Sequence, residues 1–263
     1  MTDDRELVRE AYRLAEAAAV AAGVSVRMAE PGDMSAVIGL FERTWGVGRS
    51  PDRSFLLALD YAGNTVLIAT ADSRPVGAAL GFLGWSDGIH LHSHMAAVVP
   101  WQRSGGVGYA IKLFQRALCL EHGVADMRWT FDPLIRRNAH FNLVKLGAEA
   151  VRFLPDFYGQ LDDAISGSDR SDRFEVRWDL SSPRVINALT GVKPPEWTAL
   201  GEYALAPDFE QLRVDDLDAA SAMRVESRVV FTDAFLLGLR PELNAINDYV
   251  LTSDAPNGIP REA

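Results

Sequence analysis

Cysteine is almost missing from this sequence: one residue, Cys119, stands in 263, so no internal disulfide can form. Long apolar runs are missing too, and none approaches the roughly 20 residues that a membrane-spanning helix needs. The chain opens on Thr2-Asp3-Asp4-Arg5-Glu6, where a secretory leader would carry a basic and then an apolar stretch. Positive charge is in short supply, with 26 Lys and Arg against 36 Asp and Glu, a formal net charge of -10. Such a field repels nucleic acid and anionic membrane and favours cationic small molecules. No internal repeat or low-complexity tract is found. The reading is a soluble, cytoplasmic protein with no nucleic-acid or membrane partner.

What is present points to a globular fold. Hydrophobic residues make up 48% of the chain, and 13 Pro and 21 Gly are spread along it, an ordinary composition for a packed domain. Leu7, Ala11, Leu14 and Ala18 recur at helical spacing up to Gly23, the alternation of Val24, Val26 and Met28 predicts a strand, and Val37, Leu40 and Phe41 predict a helix ending near Trp45. A Gly/Pro/Ser loop leads to a short helix over Phe55 to Tyr61. Three strands follow, over Thr65 to Ala71, Pro75 to Trp85 and Ile89 to Val99, and the tight connections between them imply antiparallel neighbours. Helix Val107 to His122, strand Met127 to Phe131, helix Asn138 to Leu146 with Asn138 as its N-cap, and strands Ala150 to Leu154 and Phe174 to Leu180 complete a mixed α/β pattern of the α+β type. Ser166 to Arg173 reads as a solvated loop or flexible flap. Beyond Leu180 the pattern changes: a short helix opens at Ser181-Ser182-Pro183, Trp197 to Ala206 looks like a strand, Asp215 to Gly238 like a helix, and Ser253 to Ala263 like a frayed end. The expected organisation is a domain over 1–180 and an extension over 181–263.

The informative stretch runs Val98-Val99-Pro100-Trp101-Gln102-Arg103-Ser104-Gly105-Gly106-Val107-Gly108-Tyr109-Ala110, between a predicted strand and a predicted helix. Glycines there let an anion approach the backbone, and the free N–H groups at the start of a helix bind phosphate oxygens. A Walker loop would end in Gly-Lys-Ser/Thr, and a dinucleotide fingerprint would carry a third glycine where Ile111 stands. Neither pattern fits.

Arg103-x-x-Gly106-x-Gly108, preceded by Val-x-Pro and followed by an amphipathic helix, resembles the acyl-CoA signature of the GNAT superfamily of N-acyltransferases, Arg/Gln-x-x-Gly-x-Gly/Ala. Ala139, Leu143 and Lys145-Leu146-Gly147 resemble that superfamily's later helix, Asn-x-x-Ala-x-x-x-Tyr-x-Lys-Leu-Gly-Phe, with Arg136 at the Asn position, Leu143 at the Tyr position and Ala148 at the closing Phe. The resemblance covers about residues 24 to 180. It implies a mostly antiparallel central sheet flanked by helices. It also implies acetyl-CoA, or another acyl-CoA, lying along the strand that ends at Val98 and Val99, with the diphosphate over Gln102, Arg103, Ser104, Gly105, Gly106, Val107, Gly108 and Tyr109. The family's tyrosine, which protonates the leaving thiolate in many members, is absent here.

His92 and His94 lie two apart on a strand, hence on one face, and titrate near neutral pH, which makes them the candidate base. Two histidines without a third ligand define no metal site. Tyr158 is the candidate substitute for the missing acid, Asn138 a candidate CoA contact, and Arg136-Arg137 either pair with a CoA phosphate or are solvated. Cys119, amid Leu113, Phe114, Leu118 and Leu120, reads as a small core residue. The expected activity is transfer of an acetyl group to the amine of a small or amino-acid-like molecule. The alternatives are a non-catalytic acyl-CoA-binding protein or an acyl-CoA enzyme of altered chemistry, by hydrolysis or decarboxylation. The extension is expected to cover the cleft, to pair two subunits in a homodimer, or to be a remnant of a second unit.

Overall fold

The computed structural model describes residues 2–103, 105–159 and 169–257. They fall into two compact units, one running through Arg128 and the other beginning at Trp129.

The first unit follows the sequence pattern closely. Helix α1 (Thr2–Ala21) is stopped by Gly23, whose φ of 65° is a left-handed value that glycine adopts without strain. Strand β1 (Ser25–Met28), helix α2 (Met34–Trp45) and helix α3 (Arg53–Tyr61) follow, the last capped by the Asp52 side chain, which accepts from the Phe55 amide. Strands β2 (Thr65–Ala71), β3 (Arg74–Gly84) and β4 (His90–Val98) are joined by short turns, a single turn of 3-10 helix spans Pro100–Gln102, and helix α4 (Val107–Glu121) leads back to β5 (Asp126–Phe131). The strand order is β1-β2-β3-β4-β5. Pairing is antiparallel as far as β4, and β4 pairs with β5 in parallel. This is the mixed, mostly antiparallel sheet flanked by helices that the sequence led us to expect. Strands β2 and β3 are buried at successive residues, which requires cover on both faces. Met34, Val37, Leu40 and Phe41 of α2 and Leu56 of α3 join one core cluster with Val66, Ile68, Ala78, Leu80 and, from α4, Val107 and Ile111.

In the second unit, β5 continues to Phe131, helix α5 (Arg136–Ala139) widens into a π-helical turn over His140–Lys145, and β6 (Glu149–Leu154) pairs antiparallel with β7 (Arg173–Asp179), in the order β5-β7-β6. Asn138 is not an N-cap: the helix starts two residues earlier, and the Asn138 amide donates to the Ile135 carbonyl, inside the first turn. Gly147 ends the element at φ 69°, and an added Cβ would lie 2.9 Å from the Ala188 Cβ and 3.0 Å from the Arg184 carbonyl oxygen. Glycine is therefore required there twice, by conformation and by close packing.

Residues 181–257 contribute helix α6 (Pro183–Leu189), strand β8 (Gly201–Tyr203), helices α7 (Phe209–Asp215) and α8 (Leu217–Leu236), and strands β9 (Arg240–Leu243) and β10 (Tyr249–Thr252), the three strands forming a sheet in the order β8-β10-β9. The strand expected over Trp197 to Ala206 is three residues long, and α7, β9 and β10 were not foreseen. This segment packs into the core of the second unit. Phe231 of α8 meets Phe174 of β7 at 4.8 Å between ring centroids, Tyr249 at 5.2 Å and Tyr203 at 5.2 Å. Buried ion pairs reinforce it. Arg184 grips Glu242 at 2.6 and 2.9 Å while donating to the carbonyls of Gly147, Leu143 and Ala148. Arg224 holds Asp132 and Asp169, and Arg228 holds the fully buried Asp172. Residues 169–172 are thus pinned rather than a solvated flap, and 160–168 lie outside the described residues. The end is likewise anchored as far as Asp254, whose carbonyl accepts from Arg240 and whose carboxylate accepts from the Thr198 amide. Phe231→Ala should lower unfolding stability by about 3–5 kcal/mol, the usual cost of deleting a buried aromatic. In urea unfolding of wild type and variant, a loss under about 1 kcal/mol would show that α8 lies outside the cooperative core.

Candidate functional site

Two features of the first unit create unsatisfied backbone groups side by side. The first is the edge of β4. Leu80 of β3 faces Met95, but the next residue, Gly81, faces Ser93, so His94 is an extra residue, a β-bulge. On the opposite edge, β4 pairs with β5 only at Leu91/Met127 and His92/Arg128. Past that point the strand has no further ladder partner on that side among the described residues. The Val99 amide donates to Val76 of the neighbouring chain segment at 2.9 Å. Because bonded and non-bonded pairs alternate along an antiparallel ladder, the N–H and C=O groups of Val98 and Ala96 point to the open edge.

The second feature is the start of α4. Gly106 is its N-cap, at φ 92°, and offers no side chain to cap the first turn, which begins with the amides of Val107 and Gly108. A helix N-terminus left this way attracts anions through its N–H groups and dipole. Gly105 and Gly106 have little room: an added Cβ would lie 3.1 Å from the Gln102 carbonyl oxygen or 3.4 Å from the Ala22 Cβ. Gly108 differs. Its nearest neighbour would be Val98 Cγ2 at 3.9 Å, and its φ is not in the left-handed range, so the protein itself does not demand glycine there. The space above Gly108 and Val98 is a cradle that a larger side chain would fill. Arg103 and Trp101 are exposed on the approach to it. Ser104 lies outside the described residues.

The bulge also arranges the histidines. Before it, His92 pairs with Phe82 across the ladder. The rings of His92 and His94 lie 5.3 and 5.8 Å from Phe82 and 6.0 Å from each other, forming one aromatic cluster. Burial, aided by the nearby charges of His94, His90 and Lys112, pushes His92 down to about 4, and burial lowers His94 as well. Both are held as neutral imidazoles at neutral pH, the form that accepts a proton. A third histidine, His90, was not singled out from the sequence. It is buried, with Nδ1 3.0 Å from the Gly88 carbonyl oxygen, in space that the missing side chain of Gly84 leaves open.

The remaining candidates belong to the second unit. Tyr158 is 40% exposed, its hydroxyl 3.3 Å from Thr130 Oγ1 and its ring under the Arg173 guanidinium. Leu143 is buried, its carbonyl bound by Arg184. Arg136 is held by the protein, donating to the carbonyls of Leu205, Ala206 and Ile246 and to Asp248, whereas Arg137 pairs with Glu210 but stays exposed. Cys119 is buried, and its thiol is pushed up to about 12 by that burial, as befits a core residue.

No protein-family model matches the chain, and no curated protein matches it. Similar solved structures include the ribosomal-protein-S18-alanine N-acetyltransferase from Escherichia coli, 14% identical over 60% of this chain and 95% of that one, with a TM-score of 0.49. Naa20 from Chaetomium thermophilum, solved with a bisubstrate analogue, is 18% identical over 65% and 92%, with a TM-score of 0.49. An acetyltransferase of the GNAT family from Streptococcus pneumoniae is 11% identical over 59% and 97%, again at 0.49. Identity this low and superposition this partial leave the functional argument to the residues themselves.

A histidine whose folded value lies below its unfolded one binds fewer protons in the native state, so stability is complete above about 6.5 and falls as pH drops toward about 4. The imidazole of His92 should titrate near 4 by NMR, and stability should decline between pH 6.5 and 4 more steeply in the wild type than in His92→Gln. A His92 midpoint at the ordinary histidine value would contradict this account of its environment.

Proposed function

We propose that this chain is an acyl-CoA-dependent N-acyltransferase that transfers acetyl from acetyl-CoA to the amine of a small or amino-acid-like molecule. One observation carries the reading: an uncapped helix start with a glycine cradle, Gly106 to Gly108, lies directly after a strand whose Val98 and Ala96 amides are left open. An elongated ligand with a diphosphate at one end and an amide-bearing arm at the other fits that sequence of donors. The Gly105, Gly106, Val107, Gly108 and Tyr109 backbone would hold the diphosphate, with Gln102 and Arg103 at its rim, while Val98 and Val99 carry the strand end beside it. Bound there, acyl-CoA supplies an activated acyl thioester.

The work left to the chain is modest. It must bring an amine in line, take a proton from its ammonium form and set a fixed donor against the negative charge that develops on oxygen. Backbone N–H groups on the open β4 edge are such donors, and they need no reorganisation. His94, the more exposed of the pair, is the proposed base, with His92 and Phe82 fixing its ring. Tyr158 is the proposed proton donor in place of the tyrosine that Leu143 replaces. Asn138 remains a proposed cofactor contact. The net charge of -10 suits a cationic acceptor.

The test is thiol release from acetyl-CoA in the presence of a panel of amines. Wild type should show amine-dependent release. His94→Ala should lose about 100-fold or more in kcat, the range for removing a general base, with CoA affinity within about twofold. Unchanged turnover and pH-rate profile would remove His94 as the base, and CoA binding with no turnover on any amine would favour the non-catalytic reading.

A further inference from the structure

Behind the bulge lies a buried polar chain that the proposed chemistry does not use. Lys112 of α4 is 6% exposed, and its Nζ donates to Ser93 Oγ at 2.7 Å. Ser93 Oγ donates to Gln115 Oε1 at 3.0 Å, and Gln115 Nε2 donates to Thr65 Oγ1 at 3.2 Å, so α4, β4 and β2 are tied together at one point. Burial pushes the Lys112 ammonium down to about 7. Moving an amine from water to such a place is costly, and an apolar side chain of the same length would fill the space without that cost. A side chain of this kind is explained better by what it specifies than by what it stabilises.

Register is what it can specify. The would-be Cβ atoms of Gly77 and Gly81 point at Val107, Ile111 and Gln115, so β3 residues 77, 79 and 81 face α4. Their cross-strand partners are Val98, Ala96 and Ser93. Residues 96 and 93 share a face although they are three apart, because His94 is the extra residue between them. Ser93 carries the lone side-chain hydroxyl of β4. A bulge displaced past Ser93, or absent, would turn that hydroxyl to the other face, away from Lys112 and Gln115.

We propose that Lys112 is a positioning residue: through Ser93 it fixes the bulge at His94, and with it both the histidine cluster and the open edge of β4. The catalytic half of this proposal rests on the acyltransferase reading above, whereas the structural half does not.

Lys112→Met tests it. The variant, with its fold checked by circular dichroism, should melt no lower than wild type. Amide hydrogen exchange at residues 93 to 96 should be at least tenfold faster, and the His92 and His94 ring signals should shift or double in NMR. With acetyl-CoA and an accepted amine, kcat should fall at least tenfold while the amine KM stays within twofold. Unchanged exchange and ring signals in the folded variant would overturn the proposal, and faster exchange with unchanged kcat would overturn its catalytic half. If Lys112→Met does not fold, Ser93→Ala, which removes the same link without burying new volume, is read in the same way. If wild type acylates no amine, the acyltransferase reading fails, while the exchange and ring signals still decide whether Lys112 sets the bulge.

Discussion

The site depends on backbone hydrogen bonds that the sheet does not make. A strand with partners on both edges offers nothing to a ligand, because each N–H and C=O is already engaged. Strand β4 escapes this by keeping β5 for two residues and then, among the described residues, pairing with β3 alone, with an extra residue, His94, that bends it and increases its twist. The chain then turns through Pro100–Gln102 and starts α4 with a glycine in place of a capping side chain. The helix start likewise has no capping side chain, so the open β4 edge and the first turn of α4 flank a connection whose own Val99, Gln102, Arg103 and Gly105 amides are bonded. Side chains play a smaller part: behind the bulge, Lys112 and Gln115 of α4 are tied to Ser93.

That division explains which parts were legible in the sequence. Strands β2 to β4 and helix α4 announced themselves through periodicity, and the loop through its glycines, which let the backbone turn and leave it open to close approach. The His92/His94 pair followed from alternation, yet the reason it survives a bulge did not, since one extra residue leaves no mark in a row of small and apolar residues such as Met95-Ala96-Ala97. Lys112 was not singled out, since nothing in its local sequence marks it apart from the other charged residues of the helix. Its role appears only when Ser93 is brought opposite it.

The second unit was read least well, for a different reason. Its cohesion comes from arginines that reach across long sequence separations, Arg136 to 205–206, 246 and 248, Arg184 to Glu242, and Arg224 to Asp132 and Asp169. No local pattern distinguishes such an arginine from a solvated one. The Arg136 guanidinium donates to the carbonyls of Leu205, Ala206 and Ile246. The C-terminal segment is core rather than ornament, with Phe231 and Tyr249 packed on Phe174.

The central claim is that the glycine cradle after β4 holds the diphosphate of CoA, and Gly108 tests it more cleanly than Gly106. Gly106 has a left-handed backbone and Ala22 close by, so any change there also strains the fold, whereas an added Cβ at 108 would have Val98 Cγ2, 3.9 Å away, as its nearest neighbour from elsewhere in the fold. The measurement is a calorimetric titration of wild type and Gly108→Val with CoA, alongside a melting curve for each. The account predicts micromolar binding by wild type, none by the variant, and a variant that melts at least as high, since valine is the better helix former. Equal affinity in both, or no affinity in wild type, would contradict it.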